Sequence, residues 1–308
     1  MFRCLLARRG ALLLSLLVGM VGIVKQASGQ AEPSILERIQ RLEVDSLHAG
    51  IWVYHSQGYA DRAEAVGRQI AASNLFFQES LGANAEIGIA LLDATDYERA
   101  SFPDGYPYGL PFIDDAVAVM PADLTSGAVI EMYAPFESTA SAEVVASLQA
   151  VGLTYAEAKS VMVDLIGLHE VGHAQVSAYG IDAKQHWFNE FLASYFGYAY
   201  MRSREPDMAV VWDAVMQAGR EGYDPTYSSL DDLNRLYAGV GVGDYVWYQN
   251  IFQARIRAVY DLQGLDFLRR VQDRLSDPEW NPESAGELLM VLEEIAPGFV
   301  EWADAYEQ

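Results

Sequence analysis

Residues 155–179 contain no proline, Thr154 and Glu157 stand in capping-box spacing at their start, and Gly180 supplies a stop. That spacing predicts one uninterrupted helix through the middle of the chain, and the rest of the fold has to pack around it. Val161, Met162, Leu165, Ile166 and Leu168 make the helix apolar nearly all round, the pattern of a helix buried in a core. An acidic residue in such a helix is costly unless something satisfies its charge. Yet inside it lies His169-Glu170-Val171-Gly172-His173.

At positions i and i+4 of a helix, two imidazoles stand one turn apart on one face and can converge on a single ion, with ring nitrogens about 2.0 to 2.1 Å from zinc. Glu170 lies beside them, where a carboxylate can take a proton from a water that the metal has acidified. His169 and His173 leave a catalytic zinc one protein ligand short. Val176 and Tyr179 occupy the places where a metzincin needs Gly and His, so that class is excluded. The segment 187–195, WFNEFLASY, opens the next helix and carries Glu190 on an otherwise apolar face, with the same burial problem as Glu170. Metal ligation solves it in the same way. Asp182 and His186, between the two helices, are the competing third ligands. His48 and His55 are isolated and receive no role.

HEVGH followed by WFNEFLASY resembles the gluzincin metallopeptidases of the thermolysin and aminopeptidase-like superfamily, the peptidase MA-like group. The resemblance is specific over about 40 central residues and a matter of outline elsewhere. It implies Zn2+ held by His169, His173 and Glu190, with Glu170 as general base. It also implies a β-rich lobe before the motif helix, with an edge strand that pairs with extended substrate. Residues 116–120 would be that strand. A tyrosine from a later helix would stabilise the oxyanion, and Tyr245 or Tyr248 fits that place. Ser194 stands where thermolysin-type members carry an Asp that orients a ligand His, and the Gly-rich substrate motif of the aminopeptidases is absent. The chain is therefore not read as an aminopeptidase.

The organisation read from the pattern is α+β, with the zinc site on the helix between a mixed lobe and a helical one. Ser34 and Glu37 predict a short capped helix within an N-terminal helix and linker segment, 30–50. A lobe over 51–140 carries strands at 51–54, 86–92 and 116–120 and a long helix at 59–81. Helical periodicity then runs from 141 to 308. Residues 1–29 hold Arg3, Arg8, Arg9 and Lys25, no acidic residue and an apolar run, which predicts a signal peptide cleaved after Gly29. Its removal takes the net charge from −23 to −27 and removes the sole cysteine, Cys4. So acidic a protein repels nucleic acid, and no later stretch approaches the length of a membrane span. The glycine run at 239–243 has no preceding strand and no accompanying Lys or Arg, so it reads as a loop and not a phosphate site. The expected molecule is an exported zinc metallopeptidase, periplasmic or secreted, acting on peptides or proteins poor in acidic residues. A catalytically silent zinc-binding protein that uses the same cleft for partner recognition is the alternative. An exported helical scaffold without metal is a third reading.

Overall fold

The computed structural model describes residues 32–102, 105–276, 280 and 282–306. The expected signal peptide, 1–29, lies outside them. The first half builds a five-stranded sheet from β1 (Asp45–His48), β2 (Trp52–His55), β3 (Gly88–Leu92), β4 (Phe112–Asp114) and β5 (Val117–Pro121), in the order β1-β2-β3-β5-β4. β2, β3 and β5 run parallel, and β1 and β4 close the two edges antiparallel. Successive side chains of β3 and β5 divide between two faces, as a strand requires. Ile89, Leu91, Ala118 and Met120 join the large core, whereas Ala90, Leu92, Val117 and Val119 pack in a smaller cluster with Ile35, Ile39 and Tyr97. That smaller cluster lies under α1 (Ile35–Gln40), whose Ser34–Glu37 capping box is present as expected, and α3 (Ala94–Ser101).

On the other face α2 (Ala60–Leu81) and α6 (Tyr155–Ala178) cover the sheet, after α4 (Ala128–Tyr133) and α5 (Ala142–Ala150). Arg62 of α2 ties the layers together. It donates to both Asp164 oxygens of α6, at 3.0 and 2.7 Å, and to the carbonyls of Ala122 and Pro121 at the end of β5. Behind α6 lie α7 (His186–Arg204), α8 (Pro206–Glu221), α9 (Leu230–Leu236), α10 (Val242–Gln263), α11 (Asp266–Leu275), α12 (Ala285–Ile295) and α13 (Phe299–Asp304). One apolar cluster runs from Val53 on the sheet through α6 and α7 to Ala303 in α13. The molecule is thus α+β, with a small sheet and a helical C-terminal part. Among the described residues no helix is long and apolar enough to cross a membrane.

Two features differ from the reading of the sequence. The segment expected as a helix and linker, 30–50, also supplies β1. Residues 116–120 are not an edge strand: β5 lies between β3 and β4, hydrogen-bonded on both sides, and the open edge nearest α6 belongs to β4. A two-residue turn joins β4 to β5, with both central residues left-handed, Asp115 at φ 44° and Ala116 at φ 62°. This is the sign pattern of a type I′ hairpin made without glycine.

Candidate metal centre

α6 is a single helix capped by Thr154 and Glu157, and it carries His169, Glu170 and His173 well inside its length. Its contact with α7 is backbone against backbone. A Cβ at Gly172 would lie 2.2 Å from the Ala193 carbonyl oxygen, and one at Gly197 would lie 3.4 Å from the Leu168 backbone. The glycine inside HEVGH is what allows this approach, and the approach sets Glu190 of α7 against both histidines. Glu190 Oε2 stands 3.3 Å from His169 Nε2, and Glu190 Oε1 stands 3.7 Å from His173 Nε2. The donor atoms of the three residues all fall within 4.8 Å of one another, with His169 and Glu190 buried and His173 half-buried.

The 3.3 Å spacing of Glu190 and His169 suits a shared metal, and the other pairs lie wider. Tetrahedral bonds of about 2.05 Å place two ligand atoms about 3.3 Å apart, whereas a charge-assisted N–H···O⁻ bond is about 2.7 to 2.9 Å long. His169, His173 and Glu190 can therefore hold a metal ion. The electrostatics fit the same use. Burial pushes His173 down to about 4, against the pull of Glu190, so its ring is neutral at neutral pH. Burial works against charge on His169 as well, but the neighbouring carboxylates of Glu190 and Glu170 outweigh it and raise its pKa. For Glu190, burial is outweighed by the two histidines and by Tyr237, which hold the carboxyl well below the usual carboxylate range. Glu170 stands outside the triplet, its Oε1 4.0 Å from His169 Nε2. Burial raises it to about 7, moderated by His169, reinforced by Glu190 and moderated again by the backbone N–H of Ile113 in β4.

Around the triplet runs a set of hydrogen bonds. Tyr237 donates to Glu190 Oε1 at 2.7 Å, and Tyr245 and Gln249 donate to Oε2, each at 2.8 Å. Burial and the Glu190 charge push both phenols upward, so they remain donors. His169 Nδ1 meets Ser194 Oγ at 2.8 Å, and His173 Nδ1 meets the Asn189 side-chain amide at 3.2 Å. Comparison with protein-family models, curated proteins and solved structures finds no match.

The structure brings together His169, Glu170, His173, Glu190 and Tyr245 from the residues singled out in the sequence. It does not bring Tyr248, which is fully buried with its hydroxyl on the Ser229 carbonyl at 2.7 Å. His186 stacks on Tyr237, ring centres 4.5 Å apart, and Asp182 pairs with Lys184, so neither completes the triplet. Both instead line an open cleft of 560 Å³ beside His173, with Val176, Ile181 and Asn189. His48 lies edge-on to Trp52, and His55 Nδ1 meets the Ser56 carbonyl oxygen. Sequence reading missed Tyr237 and Gln249. Gln249 follows Tyr245 by one helical turn, so the two share a face of α10. Tyr237 had only its place before the glycine run to mark it, and its backbone sits at φ 47°, a strained value for a non-glycine residue.

Proposed function

We propose that the protein is a zinc-dependent peptidase of gluzincin type, exported to act on peptide bonds. The observation that carries this is the placement of Glu170, a half-buried carboxyl 4.0 Å from His169 Nε2 and outside three convergent ligand residues, one of them a buried carboxylate. A purely structural site has no use for such a base. His169, His173 and Glu190 would hold the zinc ion, which would supply a Lewis acid for a carbonyl and lower the pKa of bound water. Glu170 accepts the water's proton and delivers it to the leaving amine, a task suited to a base whose pKa lies near the working pH. Tyr237 and Tyr245 keep the Glu190 carboxylate oriented. An extended substrate suits β4, which among the described residues is paired only on its β5 side. A peptide added along that edge uses the backbone groups left open there.

Glu170→Gln tests the reading. The variant should bind zinc stoichiometrically and hydrolyse peptides about 10² to 10⁴ times more slowly than the wild type. Undiminished hydrolysis overturns the mechanism. Metal binding without turnover in the wild type against a broad peptide library points to the silent, partner-binding alternative.

A further inference from the structure

We propose that Ser194 and Gln249 are the positioning residues of this site, a neutral relay that runs from Glu190 through Gln249 and Ser194 to His169 and fixes His169 with Nε2 bare toward the ligand triplet. The inference rests on the metal-site reading above. Its direction follows from one group. The Glu190 carboxylate can only accept, so Gln249 must turn its Nε2 amide toward Oε2, where it lies at 2.8 Å. That orientation points the Gln249 carbonyl at Ser194, whose hydroxyl meets Oε1 at 3.4 Å and has to donate. The Ser194 oxygen is then free to accept, and it meets His169 Nδ1 at 2.8 Å. The proton of a neutral His169 therefore sits on Nδ1, and the lone pair of Nε2 faces the space shared with Glu190 and His173. Zinc-ligating histidines need that tautomer, and a donated Nδ1–H is the usual way to hold it.

The relay explains how the site manages without a carboxylate at position 194. Ser194 is 3% exposed and sits one turn beyond Glu190 on α7, while Gln249 comes from α10, so the relay also joins the two helices. It adds no charge. Two neutral imidazoles and one carboxylate leave a divalent ion with one net positive charge, where a carboxylate partner would cancel it.

The test uses the full-length chain and four variants: Ser194→Ala, Gln249→Leu, their double and Ser194→Thr. Affinity for Zn2+ is measured by competition with a chromophoric chelator. The His169 tautomer of the metal-free protein is read by ¹⁵N NMR at a pH where the ring is neutral. The wild type and Ser194→Thr, which keeps the hydroxyl, should show His169 protonated on Nδ1. Ser194→Ala and Gln249→Leu should shift the proton toward Nε2 and weaken Zn2+ binding roughly 10- to 100-fold each. The double should lose no more than the worse single, because both break one chain. A His169 tautomer unchanged in both single variants, or losses that multiply in the double, overturns the relay and leaves the two residues as helix packing. A wild type that takes up no Zn2+ removes the metal reading, and the tautomer measurement still decides the relay.

Discussion

Replacing Gly172 by alanine puts the packing of the two site helices to a quantitative test. The new methyl would sit 2.2 Å from the Ala193 oxygen, 2.8 Å from its carbonyl carbon and 2.9 Å from its Cα, all backbone atoms of α7 that no rotamer change can move aside. Ordinary contact begins near 3.4 Å, so the helices must part by about 1 Å to accommodate it. Glu190 lies three residues before Ala193 and travels with it. The spacings of 3.3 and 3.7 Å to the two histidines widen accordingly, whereas metal sites tolerate deviations of only about 0.2 Å. Zn2+ affinity should fall at least tenfold, roughly the lower end of what disturbed ligand surroundings cost. Overpacking should destabilise the fold by about 1 to 3 kcal/mol, against a gain of about 1 kcal/mol in helix propensity. Gly197→Ala is the matched control, since its Cβ meets the Leu168 backbone at 3.4 Å and the propensity gain survives. Urea unfolding followed by far-UV circular dichroism, with chelator present, measures the stability of both variants, and zinc titration measures their sites. If Gly172→Ala is as stable as Gly197→Ala and binds zinc like the wild type, the close approach is not what positions Glu190.

The turn between β4 and β5 places Ala116 at φ 62°. The double change Asp115→Asn with Ala116→Gly should therefore stabilise the protein by about 0.5 to 1 kcal/mol in urea unfolding, and a loss of stability would mean the turn is not of the I′ kind. Arg62→Met removes the clamp on Asp164 and on two carbonyls at the end of β5. With both side chains about one-fifth exposed, unfolding should become easier by about 2 kcal/mol; a change within about 0.5 kcal/mol would show that the clamp contributes little.

The helix that carries HEVGH and the acidic residue on the following helix were legible because each is a local conflict: a charge set in an apolar helical pattern. The hydrogen-bonding shell was not. Tyr237, Tyr245 and Gln249 reach Glu190 across 47, 55 and 59 residues of chain. No local pattern says which face of α10 turns toward α7. Tyr245 and Tyr248, three residues apart, stand about 60° apart around the helix. That angle separates a partner of Glu190 from a side chain sealed against Ser229. The sheet edge is hidden for a different reason. Phe112-Ile113-Asp114 is too short to show alternation, and Asp115-Ala116 lacks the Asn-Gly or Asp-Gly signature that announces a two-residue hairpin. With β4 hidden from the pattern, only the family resemblance speaks to which strand is outermost, and it points to 116–120.

The burial of Glu190 connects the fold to the chemistry. A carboxylate 1% exposed is tolerable only with compensation, and the neutral donors that surround it, Tyr237, Tyr245 and Gln249, satisfy its oxygens without cancelling its charge. Something cationic has to balance that charge. His173 is a poor choice for the proton, because burial pushes it down to about 4. His169 is the better one, since its pKa is raised, but a proton on its Nε2 occupies the position from which the ring would bind a metal. A proton and a metal ion would compete for that one lone pair. A donor shell drawn from α10 and the segment before it favours an ionised Glu190 in either case. That division of labour accounts for a carboxylate buried where a neutral side chain would have cost the fold less.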